Sequence, residues 1–75
     1  MLKKLSEIRI GQSAKIDSFI KDEIFLKLME MGCLPGEVIT LEKIAPLGDP
    51  ISIRVSGYVL SLRLNEAEKI LVQEL

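Results

Sequence analysis

Apolar and polar residues alternate along much of this chain with a period of two, and the alternation is interrupted where glycine and proline stand. Ile51, Ile53 and Val55 share one parity against Ser52, Arg54 and Ser56, and Tyr58, Leu60, Leu62 and Leu64 resume the pattern against Val59, Ser61 and Arg63. Such alternation places one face of an extended strand on a core and the other in water. Ser56-Gly57 between the two runs reads as a two-residue hairpin turn. Ala14 to Ile20 has the same character, with Ala14, Ile16 and Ile20 opposed to Lys15, Asp17 and Phe19, and so has Glu37 to Ala45, which carries Val38, Ile39, Leu41 and Ile44. Asn65 reads as the cap of a single helical turn over Glu66-Ala67-Glu68-Lys69, and Ile70 to Glu74 as a closing strand. The opening Leu5 to Gln12 reads as a short helical turn or loop closed by Gly11.

One segment changes period. Asp22 stands where a helix N-cap belongs, Glu23 adds negative charge in the first turn, and no glycine or proline follows before Met31. At about 100° per residue, Ile24, Phe25, Leu28 and Met31 fall on one face and Glu23, Lys27 and Glu30 on the opposite arc. Leu26 and Met29 lie outside that stripe, so either a second surface covers them or part of the apolar arc is exposed. The helix is predicted to end at Met31-Gly32-Cys33-Leu34-Pro35-Gly36, because a glycine after an apolar helical run takes the left-handed conformation without steric conflict and the proline beyond it blocks a restart. A second Gly-Pro turn, Pro46-Leu47-Gly48-Asp49-Pro50, follows the next strand.

Five short strands are too few for a two-layer sandwich, and closure relieves the hazard of open edges. The pattern therefore predicts a mainly β fold, a small, partly open barrel of about five strands with one α-helix inserted after the first. Its expected interior is Ala14, Ile16, Ile39, Leu41, Ile51, Ile53, Val55, Leu60, Leu62, Ile70 and Val72, capped by Ile24 and Leu28.

Composition narrows the function classes. The 75 residues make a single domain, 1–75, of a size that buries roughly 60% of the surface its unfolded chain exposes. The chain is 48% hydrophobic and 28% charged, enough for a packed core. Ten basic against eleven acidic residues give a net charge of −1, which lacks the basic footprint of a nucleic-acid binder. Phe19, Phe25 and Tyr58 are too few aromatics for base stacking. No run of about eighteen apolar residues is present, so no membrane insertion is expected. One cysteine cannot form an internal disulfide and points to a reducing, cytoplasmic setting.

Catalysis is not expected: there is no histidine, one cysteine and no nucleophile elbow, and the carboxylates read as a solvated surface. No cofactor or metal cluster is evident, and the spacing of Glu30, Glu37 and Asp49 does not favour a ferrous site. Gly32 and Gly36 are not a phosphate loop, since Glu37-Val38 follows where Lys-Ser/Thr would be required. Cys33 reads first as a small apolar residue past a helix end, and otherwise as a partner contact or an activated thiolate.

The strings Lys27-Leu28-Met29-Glu30-Met31-Gly32, Leu34-Pro35-Gly36 and Ala45-Pro46-Leu47-Gly48-Asp49-Pro50 resemble the FeoA domain of bacterial ferrous-iron transport, and the likeness runs from Leu5 to Val72. The resemblance implies an SH3-like barrel and a cytosolic accessory role beside the FeoB-type membrane transporter, which has a cytosolic G-protein domain. Fe2+ would be the ion that the pathway handles, and the protein would act by docking rather than by catalysis. The residues expected to meet a partner are Leu26 and Met29 on the helix, Gly32, Cys33, Leu34, Pro35 and Gly36 in the first turn, and Leu47, Gly48, Asp49 and Pro50 in the second. Two alternatives stay open: a self-associating module, making a homo-oligomer, or a regulatory module related to the C-terminal domain of iron-dependent repressors.

Overall fold

The computed structural model describes residues 1–20 and 25–75, so the expected N-cap Asp22, Glu23 and the core candidate Ile24 lie outside the described residues. Its strands are β1 (Leu2–Lys4), β2 (Ser13–Phe19), β3 (Val38–Ile44), β4 (Ile51–Val55), β5 (Tyr58–Leu62) and β6 (Ile70–Glu74). A 3-10 turn, Leu5–Glu7, follows β1; helix α1 (Phe25–Glu30) follows β2; helix α2 (Leu64–Ala67) links β5 to β6.

All six strands belong to one antiparallel sheet in the order β1-β6-β2-β3-β4-β5. A sheet that buries one face against itself must curl, and the molecule is nearly isotropic at 28 × 25 × 24 Å. The curl is built by two bulges, one at Asp17 between the Ile16–Val72 and Ser18–Leu71 pairs, the other at Glu42 between the Leu41–Ile53 and Lys43–Ser52 pairs. An extra residue bends its strand and steepens the twist. The sheet ends in β1 and β5, which do not pair with each other, so the barrel is partly open.

The core follows the alternation. Ala14, Ile16, Ile39, Leu41, Ile51, Ile53, Val55, Leu62, Ile70 and Val72 are buried, and Leu5, Ile8, Leu28, Cys33 and Ala67 close the ends. The hairpin turn is as expected: Ser56 and Gly57 both have positive φ, 50° and 83°, the pair of values a two-residue turn needs to match strand twist.

The structure departs from the sequence reading in four places, each for a physical reason. The sheet has a sixth strand, Leu2–Lys4, whose three residues are all exposed and so carry no alternation. Phe19, not Ile20, turns toward the core, because the bulge at Asp17 shifts the alternation by one residue; Ile20 is exposed. Phe25, Met31 and Leu60, expected inside, are only half-buried, since α1 covers the barrel's flank and β5 is an edge. Helix α2 starts at Leu64 with Arg63 as N-cap, not at Asn65; the Arg63 N–H donates to Glu66 Oε1 at 2.8 Å, which satisfies a terminal donor from three residues ahead.

Because Leu62 is fully buried and Val59 is half-exposed on the same strand, Leu62→Ala should lose about 2–5 kcal/mol of unfolding free energy. Val59→Ala should stay within about 0.5 kcal/mol. Urea titration followed by circular dichroism checks both.

Candidate functional site

Helix α1 ends in a Schellman motif. The Cys33 N–H donates to the Leu28 carbonyl at 3.1 Å and the Gly32 N–H to the Met29 carbonyl at 3.1 Å, with Gly32 at φ +100°. The Tyr58 hydroxyl, at the start of β5, donates to the Met31 carbonyl at 2.6 Å. A Cβ at Gly32 would lie 2.0 Å from that hydroxyl oxygen, so glycine is favoured here by its φ, and any other residue would also push the Tyr58 ring off the Met31 carbonyl. Beyond it the loop is pinned to β2: the Gly36 N–H donates to the Ile16 carbonyl at 2.8 Å, and the Ile16 N–H to the Glu37 carbonyl at 2.9 Å.

The second turn is closed by Gly48 N–H to the Ala45 carbonyl, 2.7 Å, and Ala45 N–H to the Pro50 carbonyl, 3.0 Å, with a cis Asp49–Pro50 peptide. Its tip, Leu47, is 96% exposed. Asp49 Oδ1 accepts from the Leu64 N–H at 2.9 Å, capping the first turn of α2 from outside that helix.

The two turns meet at one cleft of about 320 Å³, lined by Lys27, Met31, Pro50, Ser61, Leu62, Arg63 and Glu66. Lys27 comes from α1 and Met31 from just past its end, Pro50 from the second turn, and Ser61, Leu62, Arg63 and Glu66 from the junction of β5 with α2. Glu66 braces it: one carboxylate oxygen takes the Arg63 N–H, and the other lies 3.4 Å from Lys27 Nζ, joining α1 to α2. A second hollow of about 330 Å³, lined by Lys15, Ile16, Asp17, Gly36 and Gln73, opens where β2 bulges.

Of the residues the sequence singled out, Pro50 lines the cleft and Gly36 the second hollow. Gly32 and Asp49 act beside the cleft through the backbone and α2 contacts above. Leu26, 66% exposed, Leu34 and Leu47 are exposed but do not line the cleft, and Met29 is half-buried. Cys33 is fully buried and belongs to the core, so it holds the turn from inside. Sequence reasoning missed Lys27, Arg63 and Glu66. The only signal for them was a Glu three residues after Arg63, which patterning assigned to an exposed helical turn. Among the described residues no group of three or more His, Cys, Asp or Glu could hold a metal ion. Nor is any described helix long and apolar enough to cross a membrane.

Comparison with known proteins gives the fold a family setting. The pattern of the FeoA domain matches residues 3–74. A Porphyromonas gingivalis protein described as an Fe(2+) transport protein A/Fe(2+) transporter FeoB fusion protein is 39% identical over 71 residues, which take in 93% of this chain and 8% of that protein's length. The NMR structure of a FeoA-like protein from Clostridium acetobutylicum is 41% identical with a TM-score of 0.91, covering 96% of this chain and 85% of that one. FeoA of Stenotrophomonas maltophilia, solved with zinc and described as a procaryotic SH3 domain protein, is 29% identical with a TM-score of 0.79 over 97% of this chain and 89% of its own. The barrel is thus SH3-like. A manganese-dependent transcriptional repressor shares the fold alone, at 14% identity and a TM-score of 0.86, with 99% of this chain matching 42% of that one.

Two outcomes follow from the geometry. Gly32→Ala should lose more than about 1 kcal/mol from its backbone conformation and the clash with Tyr58, while Tyr58→Phe should lose about 1 kcal/mol from the missing hydrogen bond. In the double variant the 2.0 Å contact is gone and only the ring carbon at 3.2 Å remains, so the combined loss should be smaller than the sum of the separate ones, by at least about 0.5 kcal/mol in a denaturation cycle. Burial, and after it the charge of Glu66, push the Cys33 thiol up to about 11 from an ordinary 9.0. The folded thiol stays neutral where the unfolded one ionises, so its contribution to stability is complete below about pH 9 and is lost as the pH rises toward about 11. Between about pH 8 and pH 11 the wild type should lose roughly 2 kcal/mol more than Cys33→Ala, measured by urea unfolding at each pH.

Proposed function

The chain belongs to the FeoA domain family, and from that premise we propose that it is a cytosolic accessory domain of ferrous-iron transport that docks on the FeoB-type transporter and catalyses nothing. The observation that carries this reading is the Porphyromonas gingivalis fusion, in which a segment similar to 93% of this chain shares one polypeptide with a transporter FeoB portion. Joining two modules makes their meeting intramolecular, at an effective concentration in the millimolar range for a short flexible linker, and so favours contact between parts that already interact. The shape of this chain suits docking. A rigid barrel carries two turns, held by backbone bonds, that present exposed Leu34 and Leu47 and converge on one cleft.

Leu26 in α1 is exposed as well, and Met29 on the same helix is half-buried. Scattered exposed leucines need no explanation, but an adaptable Met–Leu edge on a helix is a common contact element.

The test is an amide-resolved NMR titration of the chain with the cytosolic G-protein domain of its cognate FeoB-type transporter, with GDP and with a GTP analogue. Docking should shift residues 31–36 and 47–50 and leave the outer faces of β2 and β6 unmoved. Leu26→Ser with Met29→Ser should keep a dispersed, folded spectrum and weaken the titration. No shift with either nucleotide would remove this reading.

A further inference from the structure

The cleft between α1, the second turn and α2 has a chemistry that selects its occupant, and the selection rests on the docking reading above. Its apolar part is Met31, Pro50 and Leu62, with no aromatic ring among the lining residues. A groove without aromatics is poorly suited to stacking prolines, the mode that aromatic-lined grooves use. Its charged part is asymmetric. Lys27 and Arg63 supply two cations and Glu66 one anion, and Glu66 is engaged with Lys27 and with the Arg63 backbone N–H. Among the described residues no ion pair is formed by the Arg63 guanidinium. Asp49 beside the cleft is a second anion, and it too is engaged, with the Leu64 N–H, so the Arg63 guanidinium is the charge of this cleft that no carboxylate among the described residues holds.

The wall also offers backbone. Tyr58 and Val55 close the two-residue turn as a pair, so in the β4–β5 ladder the N–H and C=O groups of Val59 and Ser61 point away from β4. β5 is the last strand of the sheet, and no other described strand uses them. Ser61 is one of the cleft residues.

We propose that the cleft binds an extended, acidic segment of the docking partner, with an apolar side chain seated on Met31 and Pro50 and a carboxylate taken by Arg63. In the empty cleft Glu66 holds Lys27 as a built-in competitor, and an incoming carboxylate shares or displaces that pair. Bidentate geometry makes Arg63 the anchor and Lys27 the second, more adaptable charge.

The experiment is isothermal titration of the full chain with the cytosolic portion of the FeoB-type transporter. Arg63→Glu should weaken binding about tenfold or more, and Lys27→Glu somewhat less, because both place a repelling charge at the segment's carboxylate. Glu66→Gln keeps the oxygen that accepts the Arg63 N–H and removes the competing charge, so it should strengthen binding about two- to fivefold. Lys43→Glu, on the exposed face of β3, should leave the affinity unchanged. Wild-type binding should weaken as ionic strength rises from about 0.05 M to about 0.5 M. Lys27 and Arg63 are exposed, Glu66 is mostly buried and is changed only to its isosteric amide, and the folding of all three variants is checked by amide spectra. Binding that is indifferent to Arg63→Glu and Lys27→Glu overturns the cleft while leaving docking intact. No binding by the wild type removes the docking reading and this one with it. A mass that doubles with concentration and reverts to monomer in Arg63→Glu would assign the cleft to a second copy of the chain and overturn the partner segment.

Discussion

Gly32 has the Tyr58 hydroxyl where any other residue would have a Cβ, and the way α1 is tied to the sheet's edge depends on that contact. The hydroxyl reaches through the vacant space to the Met31 carbonyl, one of the acceptors that a helix end leaves without an internal partner. It therefore does two things: it satisfies the end of α1, and it ties α1 to β5, the open edge of the sheet. Leu28 is fully buried beneath it, and Cys33 just after the turn is fully buried too, so the chain dives into the core on either side of a turn that is itself half-exposed. A helix of six described residues is too short to persist on its own propensity. It persists here because its end is clamped, its inner residue is in the core, and Phe25 meets the Phe19 ring edge-on at a centroid distance of 5.2 Å.

The same logic explains why polar groups settle at the barrel's ends. Glu7, Gln12 and Glu66 each accept a backbone N–H from three residues earlier, at Lys4, Arg9 and Arg63. Each such bond is local and closes a short connection from within, satisfying a backbone donor that no strand partner takes. Gln12 and Lys3 also converge on Glu74, whose carboxyl is held below the usual range chiefly by the hydrogen bond from Lys3 and then by that from Gln12, against an opposing desolvation. That cluster gathers β1, β6 and the loop before β2 at one corner, where β1 adds no buried side chain of its own. For β1, charge and ladder bonds stand in for the hydrophobic burial that places the other strands.

How far these features could be read in the residues depends on whether they alter periodicity. The faces of β4 and β6, the Ser56-Gly57 turn and the break at Gly32 follow from alternation and from the conformations that glycine permits, and all are where the residues put them. The bulge at Asp17 could not be seen, because an inserted residue leaves composition untouched and merely reassigns Phe19 and Ile20 to opposite faces. β1 was invisible for a different reason: a three-residue edge strand with both faces wet has no pattern to detect. At the candidate site the turns were legible and the charges were not. Gly32 and Pro50 announce themselves through backbone restrictions, whereas Lys27 and Glu66, 39 positions apart by their numbering, become partners only when α1 is laid beside α2.

That difference bears on what the cleft can be for. A turn required by the backbone has its explanation in the fold, and Gly32, with Tyr58 filling its vacant side, needs no ligand to account for it. The Lys27 and Arg63 side chains are under no such requirement, since exposed charges on short helices contribute little to stability and an ion pair such as Lys27–Glu66, with its lysine in solvent, is worth about 1 kcal/mol, whereas Glu66, mostly buried, is held in place by the Arg63 N–H. Nor does the fold need Arg63 for its side chain, because its capping bond uses the backbone N–H. A guanidinium at a cleft of mixed lining, left without an ion pair among the described residues and beside a lysine already held by a carboxylate, is a charge the bracing contacts of Glu66 do not use. Recognition by such a charge acts through which segment is admitted and how fast it is steered in, more than through the strength of any one contact.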